Sequence, residues 1–166
     1  MRPRADEVLR SAIQTLDEEV LPAVAEPYAR SLALTVSNLL RHVLVRLERE
    51  GPVLAEELHD LRGSLAEVAD LLREAEGAEI VGEIDTVLTR TWREPGEHPT
   101  LAGLDGEASA LRAVVDRTLR ALHTGGARPG GDDPRGLALG VLRAYLARHL
   151  DREMPFVVEA FTGERR

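Results

Sequence analysis

The chain has 166 residues, 43% of them hydrophobic but only 3% aromatic, and a formal net charge of −8. That length suits one domain, with a core of Leu, Val, Ile and Ala large enough to need neither disulfides nor metal. With arginine scattered and lysine absent, the acidic balance argues against nucleic acid as a partner, because phosphate binding needs clustered cations. The lack of cysteine removes disulfides, thiolate nucleophiles and Cys-ligated zinc or iron–sulfur centres.

The opening Met1-Arg2-Pro3-Arg4 runs straight into Asp6-Glu7 and lacks the apolar stretch of a signal peptide. No run approaches 18 uninterrupted apolar residues, so no membrane span is expected, and the expected location is the cytoplasm. Residues 5–21 read as a first helix, with Leu9, Ile13, Leu16 and Val20 on one face. Pro22 marks its break. Pro27 opens a second helix, where its missing N–H costs nothing. Gly51-Pro52 is the expected stop. Leu32, Val36, Leu39, Leu40, Val43, Leu44 and Leu47 fill a wide arc of this helix, which predicts that it is the most buried of all.

A third helix, 53–76, carries Leu54, Leu58, Leu61, Leu65, Val68 and Leu72 in alternating steps of four and three, a heptad seam. Gly77 reads as the residue just past its end. A fourth helix over 78–93 uses Ile80, Ile84, Val87 and Leu88, with Trp92 near its end. A loop follows at Arg93–Pro99. A fifth helix, 104–123, uses Leu111, Val115, Leu119 and Leu122. Residues 124–133 read as a Gly/Pro-rich flexible linker. Asp133-Pro134 then starts a last helix as N-cap and first-turn proline, with Leu137, Val141, Leu142, Tyr145 and His149. Pro155 is expected to break it before an apolar segment of Phe156, Val157, Val158 and Phe161. That segment is expected to fold back and close the core, with docking on a partner as the alternative. With no strand pattern and no repeat, the fold expected is an all-α, single-domain, up-and-down bundle of five to six helices over residues 1–166.

Complete catalytic constellations are missing. The five histidines are His42, His59, His98, His123 and His149. Glu56 and His59 make one E-x-x-H, but a di-iron bundle needs two such motifs plus bridging carboxylates. Glu57 with Asp60, and Glu67 with Asp70, are acidic pairs of the type that hold Mg²⁺ when two helices face each other; both lie on one helix and read as a solvated face. The Gly125–Gly131 run lacks the Lys-Ser/Thr of a phosphate loop, and Ser11, Ser31, Ser37, Ser64 and Ser109 all sit within helices.

The second helix is different. Tyr28, Ser31, Thr35, Asn38, His42 and Arg46 fall in one stripe beside its apolar arc. Tyr28, Thr35, Asn38, His42 and Arg46 are the candidate ligand- or partner-binding residues, with Asn38 expected to be partly buried. The leading expectation is a non-catalytic binding or accessory protein, self-associating or docking on another protein, with no cofactor. The alternative is a metal-dependent helical-bundle enzyme or cofactor carrier using Glu56, His59, Glu67 and Asp70.

Arg2-Pro3 before a Leu-rich helix, Glu19-Val20-Leu21-Pro22, Ala33 to Leu40 with Asn38 at its centre, and Glu48-Arg49-Glu50-Gly51-Pro52 together resemble an uncharacterised family of small bacterial helical proteins. The resemblance covers about a third of the chain. Members are often encoded beside aminoglycoside-phosphotransferase-like kinases and acyl-CoA dehydrogenases. The resemblance implies no activity; it implies an accessory or binding role near small-molecule phosphorylation or acyl-CoA metabolism.

Overall fold

The structure, a computed structural model, describes residues 2–73, 78–92 and 97–158. Gly77, Arg93–Gly96, the side chain of Val158 and Phe161 lie outside the described residues. The fold is all-α, as expected, with no strand among the described residues. The elements are α1 (Ala5–Thr15), a π-helical turn (Leu16–Val20), α2 (Leu21–Ala23), α3 (Pro27–Arg73), α4 (Ala78–Thr89), α5 (Leu101–Thr124) and α6 (Pro134–Val158). They fall into two compact units, Met1–Gly51 with Arg152–Arg166, and Pro52–Asp151.

In the first unit, proline does not act where the sequence predicts. The helix does not break at Leu21-Pro22; it widens one turn earlier, and the chain leaves helix only at Val24. The Leu21 N–H reaches back five residues to the Leu16 carbonyl. That wide turn makes room for the Pro22 ring, which would press on the carbonyl four residues back in a regular helix. The wide turn also shifts the helix phase. Ile13 stays buried, while Val20 is turned out toward solvent. Glu26 then caps α3, its carboxylate accepting from the N–H groups of Tyr28 and Ala29.

The expected stop at Gly51-Pro52 is overturned. Residues 27–73 form one helix with Pro52 inside it. Gly51 is helical, with open space where a side chain would go. Pro155 likewise sits inside α6 without ending it. A proline inside a helix costs about 3 kcal/mol, mostly through one lost hydrogen bond and a ring clash. Packing after each proline outweighs that here: Leu54 and Leu58 are buried just after Pro52, and Phe156 is buried just after Pro155.

The second unit is a helical bundle around one apolar core, built from residues 52–73 of α3 with α4, α5 and α6. All six seam residues, Leu54 to Leu72, are buried. They meet Val81, Ile84 and Val87 of α4, Leu111, Val114, Val115 and Leu122 of α5, and Leu139, Leu142 and Tyr145 of α6. Leu137 faces out and Ala138 faces in, one residue off the expected register. Thr100 caps α5 through the Gly103 N–H at 3.1 Å. Asp133 caps α6, its carboxylate accepting from the N–H groups of Arg135 and Gly136 at 3.0 Å each.

The segment read as a linker carries bonds of its own. Gly126, at φ 76°, closes α5, with Ala127 N–H donating to Leu122 O and Gly126 N–H to His123 O, a glycine-terminated helix end. Gly136 must be glycine for a different reason. A Cβ there would lie 2.6 Å from the Gly131 carbonyl oxygen.

Candidate functional site

The first half of α3 presents the face that the sequence singles out, and it is not the most buried helix. Leu32, Val36, Leu39, Val43 and Leu47 are all exposed, Leu39 by 60%. The expectation of burial fails because these residues need several neighbours to cover them. Within its unit, α3 is joined on the opposite side to the π-helical turn through Ser37 and Arg41 and to α1 through Glu48. Ser37 Oγ donates to Asp17 at 2.7 Å, and Arg41 pairs with the same carboxylate. Arg10 pairs with Glu48 two turns further along. The contact between α1 and α3 combines these ion pairs with apolar side chains, Ile13 lining one cleft with Leu44 and Val45, whereas Leu32, Val36, Leu39, Val43 and Leu47 stay exposed.

The polar stripe lies along one border of this apolar face. Tyr28 is 71% exposed. Thr35 Oγ1 donates to Ser31 O at 3.0 Å. Asn38, half-buried as expected, accepts from Arg41 at 3.1 Å. His42 Nε2 accepts from Arg46 Nε at 3.1 Å, and Arg46 also holds Glu50 at 2.6 Å. Arg46 lies 5.5 Å from the Phe156 ring centroid, within cation–π range. Each of these contacts from Thr35 to Glu50, apart from the one with Phe156, is made within α3. The structure thus aligns the five candidate residues as an edge around an apolar stripe. On α6, Leu150, Met154 and Val157 are also exposed, at steps of four and three.

The four residues of the metal alternative are placed differently. Glu56, His59, Glu67 and Asp70 are all exposed, and Asp70 pairs with Arg73. Among the described residues, no group of three His, Cys, Asp or Glu side chains is placed to hold a metal ion.

Sequence reasoning missed a buried ionic network in the second unit. Glu57, 1% exposed, takes two hydrogen bonds from Arg112, at 2.7 and 2.5 Å. It takes a third from the Tyr145 hydroxyl at 2.9 Å, and His149 Nδ1 lies 3.1 Å away. Burial alone would push the Glu57 carboxyl up, but the hydrogen bonds and charge of Arg112, with Tyr145 and His149, outweigh it and hold the carboxyl below its ordinary value. Burial, and then the Glu57 charge, push the Tyr145 phenol well above its ordinary value.

Asp60, the other half of the same acidic pair, goes to Arg148 on α6 at 2.6 Å, so an arginine from a different helix claims each acid. Arg62 holds buried Glu107 at 2.7 Å and donates to the Leu88 carbonyl at 3.1 Å. Both Glu57 oxygens are engaged by donors, Oε1 by Arg112 and Tyr145 and Oε2 by Arg112. The network's chemistry is that of a clamp joining α3, α5 and α6. One signal pointed to it. In the heptad of α3, Glu57 and Ser64 occupy the same flank of the Leu seam, a position that is buried when a helix packs against more than one neighbour.

No family model, curated protein or solved structure matches the chain.

Proposed function

We propose that this protein is a non-catalytic accessory protein that works by association, through the apolar face on the first half of α3. The observation that carries this reading is the row of five exposed aliphatic side chains, Leu32 to Leu47, on a helix whose opposite side is already occupied. With Tyr28 they present roughly 600 Å² of apolar surface, the upper end for the largest patch on a monomeric protein. A polar edge of Thr35, His42 and Arg46 beside an apolar strip is the composition of an association surface: a desolvated centre with a hydrated rim. The resemblance of the first fifty residues adds a partner class, a small-molecule kinase or an acyl-CoA enzyme.

Leu39→Glu tests the reading. At an exposed position it should change stability by no more than about 0.5 kcal/mol, while it places a charge at the centre of the strip. The expected result is an unchanged helical spectrum and an unfolding midpoint equal to that of the unsubstituted chain at low concentration, with association lost in light scattering and in capture of partners from the host. A variant that unfolds would make the strip part of the core. A folded variant that associates as before would remove the face from the protein's function.

A further inference from the structure

We infer that the occupant of the α3 face is a second copy of this chain, lying antiparallel. The inference rests on the association reading above and names its partner.

The order of the side chains favours this pairing. Leu32, Val36, Leu39, Val43 and Leu47 read almost the same in both directions. When two copies run antiparallel about residues 39 and 40, Leu32 lies opposite Leu47 of the other copy and Val36 lies opposite Val43. Leu39 of each copy lies at the centre, beside the other's. Every aliphatic residue of the strip then meets an aliphatic residue of similar size, the self-complementarity that a two-fold interface requires.

Charge favours the antiparallel direction. Arg46 and Glu50 lie along the strip, bonded to each other at 2.6 Å. A parallel pair in register would set Arg46 against Arg46 and Glu50 against Glu50. The antiparallel pair sets Arg46 opposite Ala33 and keeps the two Arg46 about 20 Å and the two Glu50 about 30 Å apart along the axis, at about 1.5 Å per residue. The helix dipoles favour the same direction.

The extent of the strip suits a two-fold interface. From Tyr28 to Glu50 the strip runs about 33 Å. Its apolar surface with the polar border approaches the roughly 800 Å² per partner of a stable specific interface.

The absence of cysteine makes the test direct. Single substitutions Val36→Cys and Val43→Cys are made in the full chain, and each is checked for helix content. Under mild oxidation, a mixture of the two should form a disulfide between them, and Val36→Cys alone should form none. In the antiparallel pair its two copies lie about 10 Å apart along the axis, beyond the reach of a disulfide. The unsubstituted chain should show twice the single-chain mass of 18.2 kDa in light scattering, and Leu39→Glu should show the single mass.

A Val36→Cys self-disulfide as efficient as the mixed one would overturn the antiparallel pairing. A chain that stays monomeric at about 100 μM would overturn self-association. If that monomer captures a different protein and Leu39→Glu abolishes the capture, the association reading stands without this inference. If Leu39→Glu changes nothing, both fall.

Discussion

Glu57 is the residue whose surroundings constrain it most. Its carboxylate is buried and ionised, and it stays so because Arg112 and Tyr145 donate three hydrogen bonds to it and the charge of Arg112 lies beside it. Removing one partner of such a pair strands the other. Arg112→Leu should therefore destabilise the protein by about 3–5 kcal/mol in chemical denaturation. The double substitution Glu57→Leu with Arg112→Leu should cost clearly less than Arg112→Leu alone, since no buried charge remains. The pH dependence follows from the direction of the shift. The folded carboxyl lies below its unfolded value, so the unfolded chain binds the proton first as pH falls. The stabilisation is complete above the ordinary carboxylate range and is lost as pH drops through the folded value. Glu57→Gln should flatten the acid limb of a stability-against-pH curve below about pH 4.5. An unchanged acid limb would mean that the clamp does not discriminate between the two protonation states.

At the scale of elements, glycine and proline act through their local surroundings. Gly136 has the Gly131 carbonyl where a side chain would go, whereas Gly140, one turn on in α6, and Gly51 in α3 have open space. Gly136→Ala should cost about 1–3 kcal/mol through overpacking. Gly140→Ala and Gly51→Ala should each stabilise by about 0.5–1 kcal/mol, the helix preference of alanine. A destabilising Gly51→Ala would argue against a continuous α3.

Periodicity is the part of this that the sequence discloses well. The Leu54–Leu72 seam, the Asp133-Pro134 start and the all-α class follow from spacing and capping alone. Spacing is silent on how many neighbours a helix has. Leu32–Leu47 and Leu54–Leu72 look equally apolar, yet only the second run has helices on enough sides to bury it. The same gap hid Glu57, whose arginine, tyrosine and histidine partners come from positions 55, 88 and 92 residues away. Proline stops failed because a local penalty of a few kcal/mol is smaller than the packing of the residues that follow each proline.

At the scale of the whole molecule, the described residues include no helix long and apolar enough to cross a membrane, so the exposed strip of α3 is not explained by a bilayer span. Burial of an apolar strip between copies links folding to association, because whatever binds only the folded state raises its stability by mass action. The measurement that tests this most directly is the melting temperature of the full chain as a function of its own concentration, from about 1 to 100 μM, beside Leu39→Glu. The melting temperature of the unsubstituted chain should rise steadily with concentration. That of Leu39→Glu should stay level and match the low-concentration value of the unsubstituted chain. A melting temperature independent of concentration in the unsubstituted chain, with Leu39→Glu melting far below it, would place Leu39 in the core of a single molecule and contradict the account.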